Sequence, residues 1–381
     1  MNNTRWYVPS VFCLILIFTS CSGHKEGQWK GVTKIENGIT VVKNPSRPMY
    51  EKTILELVEE ISIGTASWPE EARIGEISCY TVDNDGNIYV GDSKNYCLKV
   101  FDNNGQYLRS MGRRGQGPGE FTVPPSKIQL TPSKEIIVSA NSLKFFSPEG
   151  KFLYELKNPI FLFSDVLMDA DSRLYLYRSE FDGKEKIYRA LPPYESFENI
   201  ISVEEERTTP PPRLRYALIS GHILAWGFSS EYRIHLADQQ GKIIRIIEKE
   251  YKPWPLTADW KSKYLDSLPR GFPKEGHNFR ASFPAFDYFF ADDSGRLFVK
   301  TFEKEEATGN YLFDIFDPEG RYLTRIALKV SREISLKQDS FMIKNGKLYA
   351  EDYDIEGYSI LKRFSLTWNL KNEKNHQNQA N

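Results

Sequence analysis

A short unit recurs along this chain: a turn residue followed by an apolar and aromatic strand. It reads Gly86-Asn87-Ile88-Tyr89-Val90, Ser172-Arg173-Leu174-Tyr175-Leu176 and Gly221-His222-Ile223-Leu224-Ala225. It returns as Gly295-Arg296-Leu297-Phe298-Val299 and Gly346-Lys347-Leu348-Tyr349-Ala350, with a degenerate copy at Lys134-Glu135-Ile136-Ile137-Val138. A second unit follows most copies at about 15–25 residues, as in Phe101-Asp102-Asn103-Asn104-Gly105-Gln106-Tyr107-Leu108. It recurs at residues 146–153 and 316–323, and more loosely around 238–244. Asp, Asn, Pro and Gly at these places are hairpin chemistry, because Gly supplies the positive φ of tight turns. Two hairpins per repeat mean four strands per repeat. Four antiparallel strands every ~40–50 residues are the pattern of propeller blades.

The strand cores agree. Ile88-Tyr89-Val90 and Leu174-Tyr175-Leu176-Tyr177 are apolar on both faces, as a sheet sandwiched between neighbouring sheets requires. A linear stack of six sheets would give the same pattern but leave two open edges. Closure has a candidate in Thr53 to Ile63 (TILELVEEISI), which precedes the first full repeat, whereas the sixth repeat runs out near Trp368. Leu55, Glu56, Leu57, Glu59 and Glu60 would also suit a helix, but the strand count calls for an outer strand of the last blade. The expected fold is therefore all-β: a six-bladed β-propeller of four-stranded antiparallel blades over residues 51–370. A long interruption at about 251–283, between repeats four and five, should hold a short helix. There Thr257 looks like an N-cap, with Trp260, Tyr264, Leu265 and Leu268 at helical spacing before Pro269.

The N-terminus predicts export. Arg5 precedes the apolar run Val11 to Phe18, which is far too short to span a bilayer, and Phe18-Thr19-Ser20-Cys21 follows. Small residues before a cysteine resemble a bacterial lipobox, although Phe18 stands where Leu is usual. The resemblance implies a signal peptide over 1–20, a lipid of the palmitate type on Cys21, and attachment to the cell envelope, at the outer membrane. Residues 21–50 then read as a tether and 371–381 as a disordered, Asn/Gln-rich tail. Cys13 would leave with the signal. Cys79 and Cys97 fall on the first and third strands of one blade. Two strand spacings are roughly 9–10 Å, beyond the ~7 Å reach of a disulfide, so both should be free thiols.

The run Gly112-Arg113-Arg114-Gly115-Gln116-Gly117-Pro118-Gly119-Glu120-Phe121 resembles the inter-blade loop of NHL-repeat propellers, most of all the six-bladed propeller lipoproteins of Bacteroidetes. The resemblance covers roughly residues 54–368 and is weakest in repeat three, where Leu191-Pro192-Pro193-Tyr194 replaces the glycine hairpin. It implies sites at one mouth of the channel, where the loops from strand two to strand three meet the connections between blades. The first set holds Asp92, Asn95, Glu180, Asp182 and Glu231, with residues 303–306 and 352–356, Asp352 among them. The second holds Arg113, Arg114, Trp260 and His277. Acids in exposed loops are usually just solvated. The glycine-rich loop is not a phosphate loop, since no Lys-Ser or Lys-Thr follows it.

Catalytic signals are sparse. The five histidines, at 24, 222, 235, 277 and 376, form no metal-spaced pair, and no Gly-x-Ser-x-Gly occurs. A formal net charge of −1 and export argue against nucleic acid. The leading expectation is a non-enzymatic module binding a peptide, a glycan or an envelope protein, with no cofactor and with the membrane met only through the lipid. The alternative is a metal-dependent enzyme like the gluconolactonase and amidating-lyase propellers, for which Asp92, Asn95, Glu231 and Asp352 are the loose candidate ligands.

Overall fold

The structure is a computed structural model describing residues 27–52, 54–65, 68–157, 165–180, 182–328 and 341–369. The expected signal segment, Cys21 and the tail 371–381 lie outside the described residues. Six sheets, each with four antiparallel strands, form the blades of a propeller. Blade one is Ile77–Val82, Ile88–Asp92, Cys97–Phe101 and Tyr107–Met111, and blade two is Lys127–Leu130, Ile136–Ser139, Leu143–Phe146 and Phe152–Leu156. Blade three is Asp165–Met168, Leu174–Ser179, Lys184–Ala190 and Glu198–Glu204, and blade four is Leu214–Ile219, Ile223–Phe228, Arg233–Ala237 and Ile243–Lys249. Blade five is Tyr288–Ala291, Leu297–Lys304, Tyr311–Phe316 and Tyr322–Leu328. Blade six is Phe341–Lys344, Lys347–Tyr353 and Ser359–Trp368, completed on its outer edge by the N-terminal strand Leu55–Ile63.

That last strand closes the ring. It runs antiparallel to Ser359–Trp368 from Leu361↔Ile63 to Trp368↔Leu55. The helical alternative for this stretch loses because an unfilled outer edge of blade six would leave a row of unpaired backbone groups.

Both-face apolarity has its cause in how the blades stack. Among the described residues, each buried core cluster is shared by two adjacent blades. Val90 and Phe101 of blade one pack with Tyr349 and Leu361 of blade six, and Leu98 and Val100 pack with Ile128 and Phe146 of blade two. Phe289, Val299 and Phe316 of blade five meet Ile234 and Ile247 of blade four. Each large side chain so buried contributes about 1.5–3 kcal/mol.

The hairpin aspartates act as turn anchors. Asp83 Oδ1 accepts from the backbone N–H groups of Asp85 (2.9 Å) and Asn87 (2.8 Å). Asp169, Asp292, Asp102, Asp238 and Asp354 repeat the geometry. Thr131 and Ser147 do part of it with a hydroxyl. The glycine before the last amide of the turn sits at positive φ, as at Gly86 (86°) and Gly105 (81°), where a side chain would be strained. Blade three departs as its sequence departs. Its outer turn is longer, and Tyr194, at φ 66°, is buried and donates to Ser172 O at 2.8 Å.

Two expectations on the periphery resolve differently. Cys79 and Cys97 are buried thiols not joined in a disulfide, on the first and third strands of blade one. The stretch 21–50, read as a tether, is a belt from residue 27 onward. Val32–Glu36 and Ile39–Asn44 form a hairpin, and Ile39–Asn44 runs parallel to Ile243–Lys249 and widens blade four to six strands. Met49 and Tyr50 then bond to Tyr322 O and Leu323 O of blade five. A polar sequence can still be ordered when its backbone completes a neighbour's exposed edge.

Candidate functional site

The inner strands of all six blades surround a central cavity of about 680 Å³. Its wall is mixed. Val82, Leu130, Leu167, Leu218, Phe290 and Met342 supply apolar surface. Lys127, the first residue of blade two, pairs with Asp165, the first of blade three, at 3.0 Å, and both side chains are nearly buried. Gln129 Oε1 accepts from Met168 N at 3.2 Å and ties the same two blades together.

The turns between the first and second strands line the mouth, represented by Asp83, Lys134, Asp169, Gly221, Asp293 and Lys344. They clasp one another. Lys134 pairs with Asp85, Lys344 with Asp293 at 3.3 Å, and Ala170 N donates to Gly221 O at 2.9 Å. Asn345 Nδ2 reaches the carbonyls of Asp83 and Asn84, both at 3.3 Å. Burial pushes the Asp292 carboxyl up, against the opposing hydrogen bonds and charge at Arg296. The mouth is therefore a ring of turns braced by ion pairs and backbone hydrogen bonds.

None of the seven residues singled out for ligand contact lines this cavity. Asp92 is fully buried and spent on its own loop and on the segment before blade one, accepting from Asn95 N (3.1 Å), Asn95 Nδ2 (2.8 Å) and Gly75 N (2.9 Å). Glu180 accepts from Tyr188 Oη at 2.6 Å, and Asp352 lies 3.3 Å from Lys362 Nζ. Glu231 is exposed beside blade four. Arg113 bonds Glu120 Oε1 at 2.6 Å, and its own side chain is 80% exposed. Glu120 also accepts from Gly117 N, and these contacts hold its carboxyl below the usual range. Arg114 lies over the Tyr96 ring at 5.0 Å. The glycine-rich run is thus a crossing between blades braced by its own carboxylate.

Trp260 belongs to the insert. Thr257 caps the helix Ala258–Ser267 by accepting from Trp260 N at 3.2 Å, and the helix lies between blades four and five. Trp260 stacks on Tyr264 at 5.3 Å and meets Phe283 edge-on at 5.2 Å, and Phe283 stacks on Phe302 of blade five at 4.8 Å. Backbone bonds between Thr209 and both Asn278 and Arg280 fasten the insert to the connection entering blade four. The aromatic spacing serves packing against a blade edge.

The donors named for a metal do not converge. Asp92 and Asn95 bond to each other in blade one, Glu231 belongs to blade four, and Asp352 is paired in blade six. Among the described residues, no three His, Cys, Asp or Glu side chains group as a metal site would need.

Sequence reasoning missed the cavity because first strands carry no recurring turn signature. The available signal was a charge opening a short strand with apolar second and fourth residues, as in Lys127-Ile128-Gln129-Leu130 and Asp165-Val166-Leu167-Met168.

The architecture defines a six-bladed β-propeller. A family model described as a 6-bladed beta-propeller matches residues 33–207. A Bacteroides fragilis structure described as an exported protein is similar at 15% identity and TM-score 0.55, covering 86% of this chain and 100% of its own. A Bacteroides vulgatus structure of the DUF4221 family is similar at 11% identity and TM-score 0.54, covering 82% of this chain and 99% of its own. At these identities the likeness is one of fold. No curated protein matches the sequence.

Proposed function

We propose that this chain is an exported, lipid-anchored binding module, held to the cell envelope through Cys21, whose central cavity receives a small ligand or a segment of one. The cavity carries the reading: about 680 Å³ is within the usual size of small-molecule sites, and the wall combines apolar surface with the nearly buried Lys127–Asp165 ion pair. Such a wall suits an amphiphilic ligand, a peptide end or a glycan with an apolar substituent. Export is supported by the N-terminal signal pattern and by the description of the Bacteroides fragilis neighbour. Among the described residues no helix is long and apolar enough to cross a membrane.

The test is a cavity-filling variant set against a loop variant. Leu218→Trp projects into the cavity, whereas Arg113→Ala with Arg114→Ala changes only the crossing loop. Ligands retained by the wild type are read by native mass spectrometry, and binding by glycan and peptide arrays. Loss with Leu218→Trp alone supports the cavity. Loss with the arginine pair alone moves the site to the loops between blades.

A further inference from the structure

The belt that follows the anchor is charged differently from the rest of the molecule. Residues 27–52 hold five basic side chains (Lys30, Lys34, Lys43, Arg47, Lys52) against two acidic ones (Glu36, Glu51), in a chain whose formal net charge is −1. Lys30, Lys34, Arg47 and Lys52 are exposed, as is Lys252, just beyond blade four. Apolar side chains stand among them: Val32 is 50% exposed, Ile35 78% and Trp254 43%. Val32 and Ile35 lie on Val32–Glu36, the outermost strand of the widened blade-four sheet. Lys30, Val32, Lys34 and Lys43 line one shallow groove there with Glu248 and Glu250. Lys43 is paired with Glu36 at 3.0 Å, so among the described residues the unpaired positive charge of the groove is that of Lys30 and Lys34.

This surface sits where the chain must leave for its anchor. Gly27 N donates to Met49 O at 3.0 Å, Glu250 N to Asn44 O at 2.9 Å, and Trp29 Nε1 to Asn44 Oδ1 at 2.9 Å. The first described residue is thereby fastened at the rim where blades four and five meet. Only five residues, six Cα–Cα steps, separate Gly27 from Cys21. Even fully extended, that stretch reaches roughly 20 Å. A lipid on Cys21 cannot let the propeller tumble freely, so one part of its rim must stay close to the headgroups. The rim nearest the exit is the basic one.

We propose that the rim where blades four and five meet, bearing the hairpin Val32–Asn44 and Trp254, lies against an anionic phospholipid surface. This rests on the reading of Cys21 as the lipid site and goes beyond it, because it adds a protein face to an attachment otherwise made by the lipid alone. Lysines near such a surface attract its negative charge, and Trp and aliphatic side chains enter the interface. The rim and the cavity mouth are different surfaces, so attachment in this pose leaves the mouth open.

Hydrogen exchange of the lipidated protein in nanodiscs with 30% phosphatidylglycerol, compared with detergent, tests the pose. The expected result is slower exchange at residues 30–36 and 252–254, with the mouth turns at 83–87 and 292–296 unchanged. Protection at the mouth turns, or at neither place, overturns the proposal. Protection of residues 32–36 that is already present in detergent and grows with protein concentration marks strand pairing between two copies and also overturns it. In a second measurement the Cys21→Ala protein is titrated with phosphatidylglycerol vesicles at low salt. Replacing Lys30, Lys34 and Lys252 by Gln should weaken binding about fivefold per lysine, and unchanged binding counts against the face. Palmitate labelling reads the anchor separately. An unlabelled chain with the expected protection retires the anchor and keeps the face, whereas a labelled chain protected elsewhere does the reverse.

Discussion

Lys249 of blade four and Asp314 of blade five pair at 3.3 Å with side chains 2% and 0% exposed. Asp314 also accepts from Arg325 Nε at 2.6 Å and from the hydroxyls of Tyr232 and Tyr322, both at 2.7 Å. Lys249 lies over both tyrosine rings, at 5.1 and 4.7 Å. Burial pulls the ammonium of Lys249 down, while Lys249 and Arg325 hold the Asp314 carboxyl low against its own burial. One fully satisfied carboxylate thus joins two blades.

Asp314→Ala should therefore cost about 3–5 kcal/mol, because it leaves Lys249 and Arg325 buried without their counter-charge. Adding Lys249→Met should recover part of the loss. Denaturant midpoints measure both. A loss under about 1 kcal/mol for Asp314→Ala would mean that water reaches the pair.

Closure makes a graded prediction. A chain starting at Gly31 keeps the whole belt from the blade-four hairpin onward, one starting at Lys52 loses the hairpin, and one starting near Ser67 also loses Leu55–Ile63. The second should melt modestly lower. The third should aggregate, because the long edge Ser359–Trp368 is then unpaired. Equal melting of all three would show that the ring closes without the N-terminal strand.

His235 gives the pH dependence. Its ring stacks on Trp226 at 4.1 Å, and burial, with Arg233 adding, pushes its pKa from 6.5 down to about 4. The unfolded chain then binds the proton more readily than the folded one. Stability is complete above pH 6.5 and falls as the pH drops towards 4. The loss is at most about 3 kcal/mol, less solvent screening of a half-buried ring. His235→Phe keeps the stack and should flatten this part of the melting profile. An unchanged slope would assign the acid loss to carboxylates.

The arginine pair should be nearly silent for stability. Arg113 makes an exposed contact and Arg114 covers one ring. Arg113→Ala with Arg114→Ala should shift the midpoint by no more than about 1 kcal/mol. A larger loss would show that the Glu120 brace organises the crossing and that both arginines are structural.

Repeat number, strand count, the closing strand and the helix cap were all legible in the sequence, because each is written locally. A turn needs its Asp and Gly within five residues, and a sheet packed on both faces needs apolar neighbours along one strand, as at Ile88-Tyr89-Val90. Candidate contacts were read from the same local cues, and there the reading ended. Nothing within ten residues of Asp92 shows that the loop before blade one takes up its carboxylate.

What the sequence by itself determined was the six-bladed ring, its hairpins and the segment that closes it, since backbone pairing and turn chemistry are short-range. Only the tertiary structure decided that Lys127 and Asp165, 38 positions apart, face each other in the cavity wall. It alone showed that residues 32–50 are bound to blades four and five. Both outcomes depend on which blade edges come together once the ring is closed, and that is a property of the assembled sheets that no local pattern encodes.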